Sequence, residues 1–448
     1  MPARRWFASV VAAASAAVVP VVLTGTAGAV ATGHAPVAGG PSEAGTWGAA
    51  LTPPGLSSLE QGVGPASSAV SVVSCASAGN CSAAGYYPSR GSQSGQNLGG
   101  YVVNEVNGTW HTVIKIAGIT LSPHGGGTAQ PSSVSCAEAG ECSVVGDYEA
   151  APGAPYHAFI TSEVHGAWHA ATEVPGLVAL DHGGNAELGS VSCTAPGDCS
   201  AGGGYAASAS IFQAFVVDEI HGIWHTAITV PGITRLNHGG ADITGNSCVS
   251  PGNCSAVGEY QDTAGRTQVF AVNKVNGTWH QAMAIPGIAG LNAGGFASVA
   301  SVSCASAGNC GAGGTYTDSS KHVQAFIVNE VNGTWHDAIK VPGTAAVDQY
   351  SVGGVGAVSC AAPGNCSAGG TFRSPQNPLG HEDAFVVSEV NGTWHTAIAV
   401  PGLATLSQSG TAHFYALSCG AVANCTAGGI YDFADNPANE QAFLVSEK

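Results

Sequence analysis

Three histidines stand in the phrase "HGG", at His124, His182 and His238. Three imidazoles with an open coordination position are a known zinc or copper arrangement. They lie 12, 11 and 10 residues before the next cysteine, so their loops are out of register, and turn histidines preceding glycines are the competing reading. The arginines beyond residue 31 are Arg90, Arg235, Arg266 and Arg373. Their planar guanidinium groups suit two-pronged recognition of a carboxylate. General acid and base work needs an unrepeated pair of carboxyls in contact, for which Asp181, Glu187, Asp242, Asp262, Glu382 and Asp383 are candidates.

The fourteen cysteines fall as Cys75/Cys81, Cys136/Cys142, Cys193/Cys199, Cys248/Cys254, Cys304/Cys310, Cys360/Cys366 and Cys419/Cys425, each pair spaced C-x5-C, at intervals of 55 to 61 residues. Each pair flanks a short loop between two strand-like runs, which makes a cross-strand disulfide the expected chemistry. Zinc is the rival, but the spacing is not that of a short knuckle and no second pair accompanies each one.

Such residues need elements to position them, and the cysteine interval marks a repeat. Its sixth copy reads "AVSCAAPGNCSAGGTF", a variable loop, "DAFVVSEVNGTWHTAIAVPGL", and a second loop. Four strand-like pieces, Ala357 to Cys360, Cys366 to Thr371, Asp383 to Val390 and Thr393 to Val400, are rich in Val, Phe, Ile, Thr and Trp and bounded by Gly, Pro and Asn. Four antiparallel strands repeated around an axis make a β-propeller blade. Asn391-Gly392 predicts a two-residue type I′ hairpin, which sets Val390 opposite Thr393, Glu389 opposite Trp394 and Ser388 opposite His395. The repeated histidines His111, His169, His225, His280, His336 and His395 then face Asn104, Ser162, Asp218, Asn273, Asn329 and Ser388, and a structural hydrogen bond to those residues is expected. Glu105, Glu163, Glu219, Glu330, Glu389 and Glu447 recur likewise, with Lys274 as the exception.

The last copy runs to "QAFLVSEK", a third strand, while "GTWGAALTPPGL" near the start reads as a fourth strand. Joining the two completes a seventh blade. The expected fold is therefore all-β, a seven-bladed β-propeller with four antiparallel strands per blade, its ring closed by pairing of the N-terminal strand with the C-terminal strands. The loops joining strands two and three, and strand four to the next blade, are long and share one face. Function is expected there.

The chain resembles the seven-bladed propellers generally. "AGGTY" with a downstream Trp is similar to the kelch pattern, and the Gly-Thr-Trp turn is similar to the tail of the Asp box of sialidase-like propellers, without that box's aspartate or spacing. The whole unit looks most like the VSC…C repeats of secreted bacterial propellers, chiefly actinobacterial. A sialidase-like reading implies three arginines converging from separate blades, but no Tyr/Glu nucleophile pairing is recognisable. Tyr86, Tyr148, Tyr205, Tyr260, Tyr316, Tyr431 and Phe372 follow glycine pairs, and packing is their expected role ahead of sugar stacking.

Arg4 and Arg5, the apolar run from Phe7 to Leu23 and small residues near Ala29 and Ala31 have the pattern of a secretory signal peptide over residues 1–31. A flexible segment over 32–45 and the propeller over 46–448 follow. The formal charge of −17 argues against nucleic acid or an anionic membrane as partner, and no later stretch is apolar enough to insert in a bilayer. The expectation is a secreted or cell-wall-associated monomer, without cofactor, that binds an extracellular glycan or protein through its long-loop face. The alternatives are a carbohydrate hydrolase or lyase on the same face, sialidase-like or assisted by a metal on His124, His182 and His238, and a structural surface platform.

Overall fold

The computed structural model describes residues 51–60, 68–89, 97–122, 127–344, 353–373, 382–407, 411–433 and 436–447. Trp47, Arg90 and His124, and the segments assigned to leader and linker, lie outside them. Strand makes up 62% of the described residues and helix 7%, an all-β fold. The sixth unit is representative, with strands Gly353–Ala362, Asn365–Arg373 and Glu382–Val390 followed by two short pieces, Thr393–Trp394 and Ile398–Ala399, that both pair with the third strand. The tight turn behaves as its sequence requires: Asn391 and Gly392 have φ of 50° and 80°, and Glu389 pairs with Trp394.

All seven C-x5-C pairs are disulfides: Cys75–Cys81, Cys136–Cys142, Cys193–Cys199, Cys248–Cys254, Cys304–Cys310, Cys360–Cys366 and Cys419–Cys425. Each joins directly opposed residues of the first hairpin. None of the described cysteines is free, which leaves no thiolate for zinc. Their setting differs in one respect from a staple at a surface loop. The second cysteine of every pair is buried: Cys81, Cys310 and Cys425 are 8%, 4% and 5% exposed, and Cys142, Cys199, Cys254 and Cys366 are buried with them. The Ser255 and Ser367 hydroxyls of the preceding units lie 3.3 Å from the Cys310 and Cys425 sulfurs, and Ser82 lies 3.2 Å from that of Cys142. The bridges are thus part of the packing between units, not of an open binding surface.

The expected continuous fourth strand is broken. After Trp394 the His395 N–H still bonds to the Ser388 carbonyl at 2.9 Å, but the Ala397 N–H leaves its own sheet for the Pro342 carbonyl of the preceding unit at 2.8 Å. Ala227 to Pro175, Ala282 to Pro231 and Ala338 to Pro286 repeat that link. The break is therefore how one unit's rim is tied to the next, a use of backbone that hydrophobic alternation does not encode.

The first strand of each unit lies against the first strand of the next, from Ala69–Ser77 through to Ala412–Ala421, while the short fourth strands are outermost in each sheet. These are propeller-type blades. Their faces pack through a repeated exchange. A third-strand aromatic, Tyr101, Phe159, Phe215, Phe270, Phe326 or Phe385, is fully buried, and an apolar first-strand residue of the next unit presses onto the glycine pair of the second strand. A Cβ added to Gly202 would stand 2.8 Å from Ile243, and one on Gly313 2.7 Å from Val355, so the glycines exist to admit the neighbouring sheet. The ring after each pair is buried at Tyr205, Tyr260, Tyr316, Phe372 and Tyr431. In the first unit Tyr87, not Tyr86, holds that place, because its glycine is followed by two tyrosines and the second is the one turned into the core.

The two ends of the series differ. The last sheet has three described strands, and its Leu444 is 48% exposed, where the equivalent Val102, Val216 and Ile327 are 1%, 1% and 0% exposed. Val73 on the first sheet is 37% exposed, where the equivalent Val191 and Val358 are buried. Ahead of the first sheet, Pro54 accepts the Val113 N–H at 2.8 Å, the same link that each preceding unit makes elsewhere.

Candidate functional site

The repeated Trp-His step proves to be a seam between units rather than chemistry within one. Each histidine pairs through its backbone, as His111 does with the Asn104 carbonyl at 2.8 Å, and the imidazoles are exposed. The facing side chain turns to the neighbouring unit instead. Asn104 accepts the Trp168 indole N–H at 3.0 Å and donates to Glu163, and Asn329 serves Trp394 and Glu389 in the same way. Ser388 and Ser367 donate to Glu447 at 2.7 and 3.3 Å. Lys274 now has a reason: the facing residue there is Asp218, and the ammonium lies 2.8 Å from its carboxylate. The swap preserves a matched pair in a buried seam.

On the long-loop face, His182 and His238 occupy exposed turns, with His182 in the left-handed region at φ 54°. The residue before each histidine holds the loop. Asp181 accepts the Gly183 N–H at 2.8 Å, and Asn237 donates to the Phe212 carbonyl at 2.7 Å, tying the inter-unit loop to the start of a third strand. Among the described residues no three His, Cys, Asp or Glu side chains are placed to share a metal ion. The described arginines are engaged separately. Arg235 donates to Gln281, Arg266 pairs with Asp262 at 2.9 Å, and the Arg373 Nε is sealed from solvent with no partner.

Of the candidate acids, Glu187 and Asp242 come together, joined by Asp147 and Glu259. Glu187 and Asp242 are each second in the first strand of their unit, close to the inter-unit loops, at the inner end of the long-loop face. Asp242 pairs directly across the hairpin with Glu259. Glu187 stands between two neighbours, raising the carboxyls of both Asp147 in the unit before and Asp242 in the unit after. Gly204, opposite Glu187, makes the space: a Cβ there would lie 3.0 Å from that of Asp242. Burial, then mutual repulsion, pushes Asp147 up to about 7. Burial moves Glu259 to about 7 against a Ser298 hydrogen bond that lowers it. Burial also raises Glu187, and burial with the Glu259 and Glu187 charges raises Asp242 well above the usual carboxylate range. The Asp242 Oδ1 is sealed from solvent without a hydrogen-bond partner among the described residues. Asp181, Asp262 and Glu382 are used locally, Glu382 lying 3.2 Å from His413 of the next sheet.

No family model matches the chain, and no curated protein does. Among solved structures, an ulvan lyase, a polysaccharide lyase bound to a GlcA(1-4)Rha3S unit, is similar at 10% identity and TM-score 0.45 over 83% of this chain and 91% of its own. A Hadza microbial sialidase is similar at 10% identity and TM-score 0.35, over 79% and 74%. The Aleuria aurantia lectin with α-methyl-L-fucoside shows 12% identity and TM-score 0.36, over 74% and 94%.

Asp147 and Glu259 escaped sequence reasoning because they sit inside the repeated motif, five residues after the second cysteine. The signal was there to find: the same position holds Tyr86, Gly204, Thr315, Thr371 and Ile430 in the other units.

Proposed function

We propose that the chain is an exported, disulfide-pinned propeller that binds an extracellular ligand at the inner end of its long-loop face, acting as a monomer without catalysis. The observation that carries this reading is the convergence of Asp147, Glu187, Asp242 and Glu259 from three consecutive units. Carboxyls that share their charge unevenly offer protonated donors beside ionised acceptors, which matches the paired hydroxyls of a glycan more closely than it matches an anion or an apolar ligand. Seven disulfides fit an oxidising compartment, and no helix among the described residues is long and apolar enough to cross a membrane.

Asp242→Asn combined with Glu259→Gln is expected to leave the melting temperature within a few degrees and to weaken saturable retention on a glycan array at least about tenfold, the loss of one or two charge-assisted hydrogen bonds. Unchanged retention in the double variant would remove this site from the binding function. One observation favours catalysis as the second reading: Asp242 and Glu259 are cross-strand neighbours with both carboxyls raised, as a general acid requires. Release of new reducing ends or unsaturated sugars by the wild type, lost in the double variant, would decide for it.

The same proposal includes a closed ring of seven blades, with residues 46–50 as the fourth strand of the last sheet. Half-exposed Leu444 on one end and Val73 on the other are apolar side chains that such closure covers. The Pro54 link to Val113 brings the chain to the right edge. A chain starting at Leu51 should melt several degrees lower and gain a protease-sensitive C-terminal sheet; equal melting and equal proteolysis would speak for an open arc.

A further inference from the structure

The face opposite the acid cluster carries its own break in symmetry. In four units an Asn before the second cysteine accepts the N–H of the Asn that begins the tight turn: Asn80 from Asn107 at 3.2 Å, Asn253 from Asn276 at 3.1 Å, Asn309 from Asn332 at 3.2 Å and Asn365 from Asn391 at 3.3 Å. In the second and third units alone the pair becomes acid and histidine. Glu141 accepts from the His165 N–H at 3.0 Å, and Asp198 from His221 at 3.4 Å. A neutral amide holds the turn elsewhere; here each acid also meets the imidazole of its histidine, Glu141 at 2.6 Å from the His165 Nδ1 and Asp198 at 3.9 Å from that of His221.

Glu141, His165 and His221 of these exchanges face one groove of about 200 Å³ between the second and third units, lined also by Glu163 and Glu219, with no Lys or Arg among its described lining. At its floor Glu219 is 6% exposed. The other buried glutamates of the series are hydrogen-bonded across their seams: Glu163 by Asn104, Glu330 by Asn273 and by Ser255 at 3.0 Å, Glu389 by Asn329. Glu219 has no such hydrogen bond among the described residues; the serines at the places of those donors, Ser143 and Ser162, bond to each other at 3.1 Å, and Ser162 also takes the Trp224 indole at 3.3 Å. It is thus a buried, unpartnered carboxyl aimed into the groove, with Glu141 and Asp198 near enough to act on it.

The next seam shows how this fold supplies the missing charge. Lys274 holds the register place of Glu219, opposite Trp279 as Glu219 is opposite Trp224, and its ammonium sits 2.8 Å from Asp218 and 5.9 Å from the centre of the Trp279 ring. We propose that the groove between the second and third units binds a primary ammonium group from outside the chain, a lysine side chain of a partner peptide or a free alkylamine, with Glu219 as its counter-ion, Glu141 in the lining and Asp198 behind His221. A side chain rather than a metal ion suits the groove, since no three ligating side chains among the described residues are placed to share an ion.

Calorimetric titration of the full protein at low ionic strength tests this with cadaverine, a blocked Gly-Lys-Gly peptide and its acetyl-lysine form. Saturable one-to-one binding of either amine, weakened at least tenfold by Glu219→Gln and by Asp198→Asn, is the expected result. Asp198→Asn installs the amide that five other units carry at that place, so it is expected to keep the turn. Binding of cadaverine alone assigns a free amine, and binding of the lysine peptide but not its acetylated form assigns a peptide. Equal affinity in Glu219→Gln, equal binding of the acetylated peptide, no binding of either amine, or Glu219-dependent uptake of zinc or calcium without amine binding would each overturn the proposal.

Discussion

Lys274→Glu by itself is expected to destabilise the protein by about 3–5 kcal/mol, and adding Asp218→Asn to recover most of that loss. The seam explains both directions. Lys274 is 5% exposed and is the charge partner of Asp218, which also takes the Ser200 hydroxyl at 2.8 Å and the Trp279 indole at 3.1 Å. Glutamate at 274 would set two carboxyls against each other in a dry seam. The double variant rebuilds the pattern of its neighbours, where Asn273 or Asn329 accepts a tryptophan N–H and donates to the glutamate of the next unit. Denaturation midpoints of the two variants check this. A single variant within about 1 kcal/mol of wild type, or a double no better than the single, would show that the seam is solvated and the exchange incidental.

Stability is expected to fall as pH rises from about 4.5 to about 7.5. Asp147 rises from 3.8 to about 7, Glu219 and Glu259 rise from 4.5 to about 7, and Asp242 is raised well above the usual carboxylate range, all chiefly by burial. Between the unfolded and folded values the native state holds more protons than the unfolded chain, so these groups favour folding fully below the unfolded values and lose that contribution as pH climbs through the folded ones. The upper bound is about 4 kcal/mol for Asp147 and about 3 kcal/mol for each of Glu219 and Glu259, less for the share of solvent each retains. Asp262 runs the other way, its carboxyl held down by hydrogen bonds from Arg266, Gln268 and Ala264 against burial, but it is one group on an exposed loop. A melting temperature that is highest near pH 5 and several degrees lower at pH 8 is the expected profile. A flat or rising profile would mean that these carboxyls ionise freely. The same measurement on Glu219→Gln should show a shallower fall, because one of the contributing titrations is gone.

How legible the molecule is depends on the range over which its interactions act. The C-x5-C pairs, the Asn-Gly turns and the alternation of Val, Phe and Ile act within one unit. From them the hairpin register, the disulfides and the sheet order could be read before any coordinates, and all are as expected. Contacts across seams join residues of different units, far apart in the chain, and repetition hides them, because a motif that looks the same in every unit gives no sign of which neighbour it touches. The pairing of Cys304 with Cys310 is local and legible, whereas the burial of Cys310 beneath Ser255 of the unit before it is not. That is also why Asn104 was matched with a histidine side chain when its partners are Trp168 and Glu163, and why Lys274 looked like an exception until Asp218 was beside it. Glu187 and Asp242 could likewise be named as candidates but not joined to Asp147 and Glu259, whose convergence depends on the angle at which one sheet leans on the next and on the space left at Gly204. Local patterning determined the unit, since strand pairing and turn geometry follow from neighbours in the chain. Only the packing of unit on unit decided where charge accumulates, since the cost of burying a carboxyl is set by surroundings that no single repeat contains.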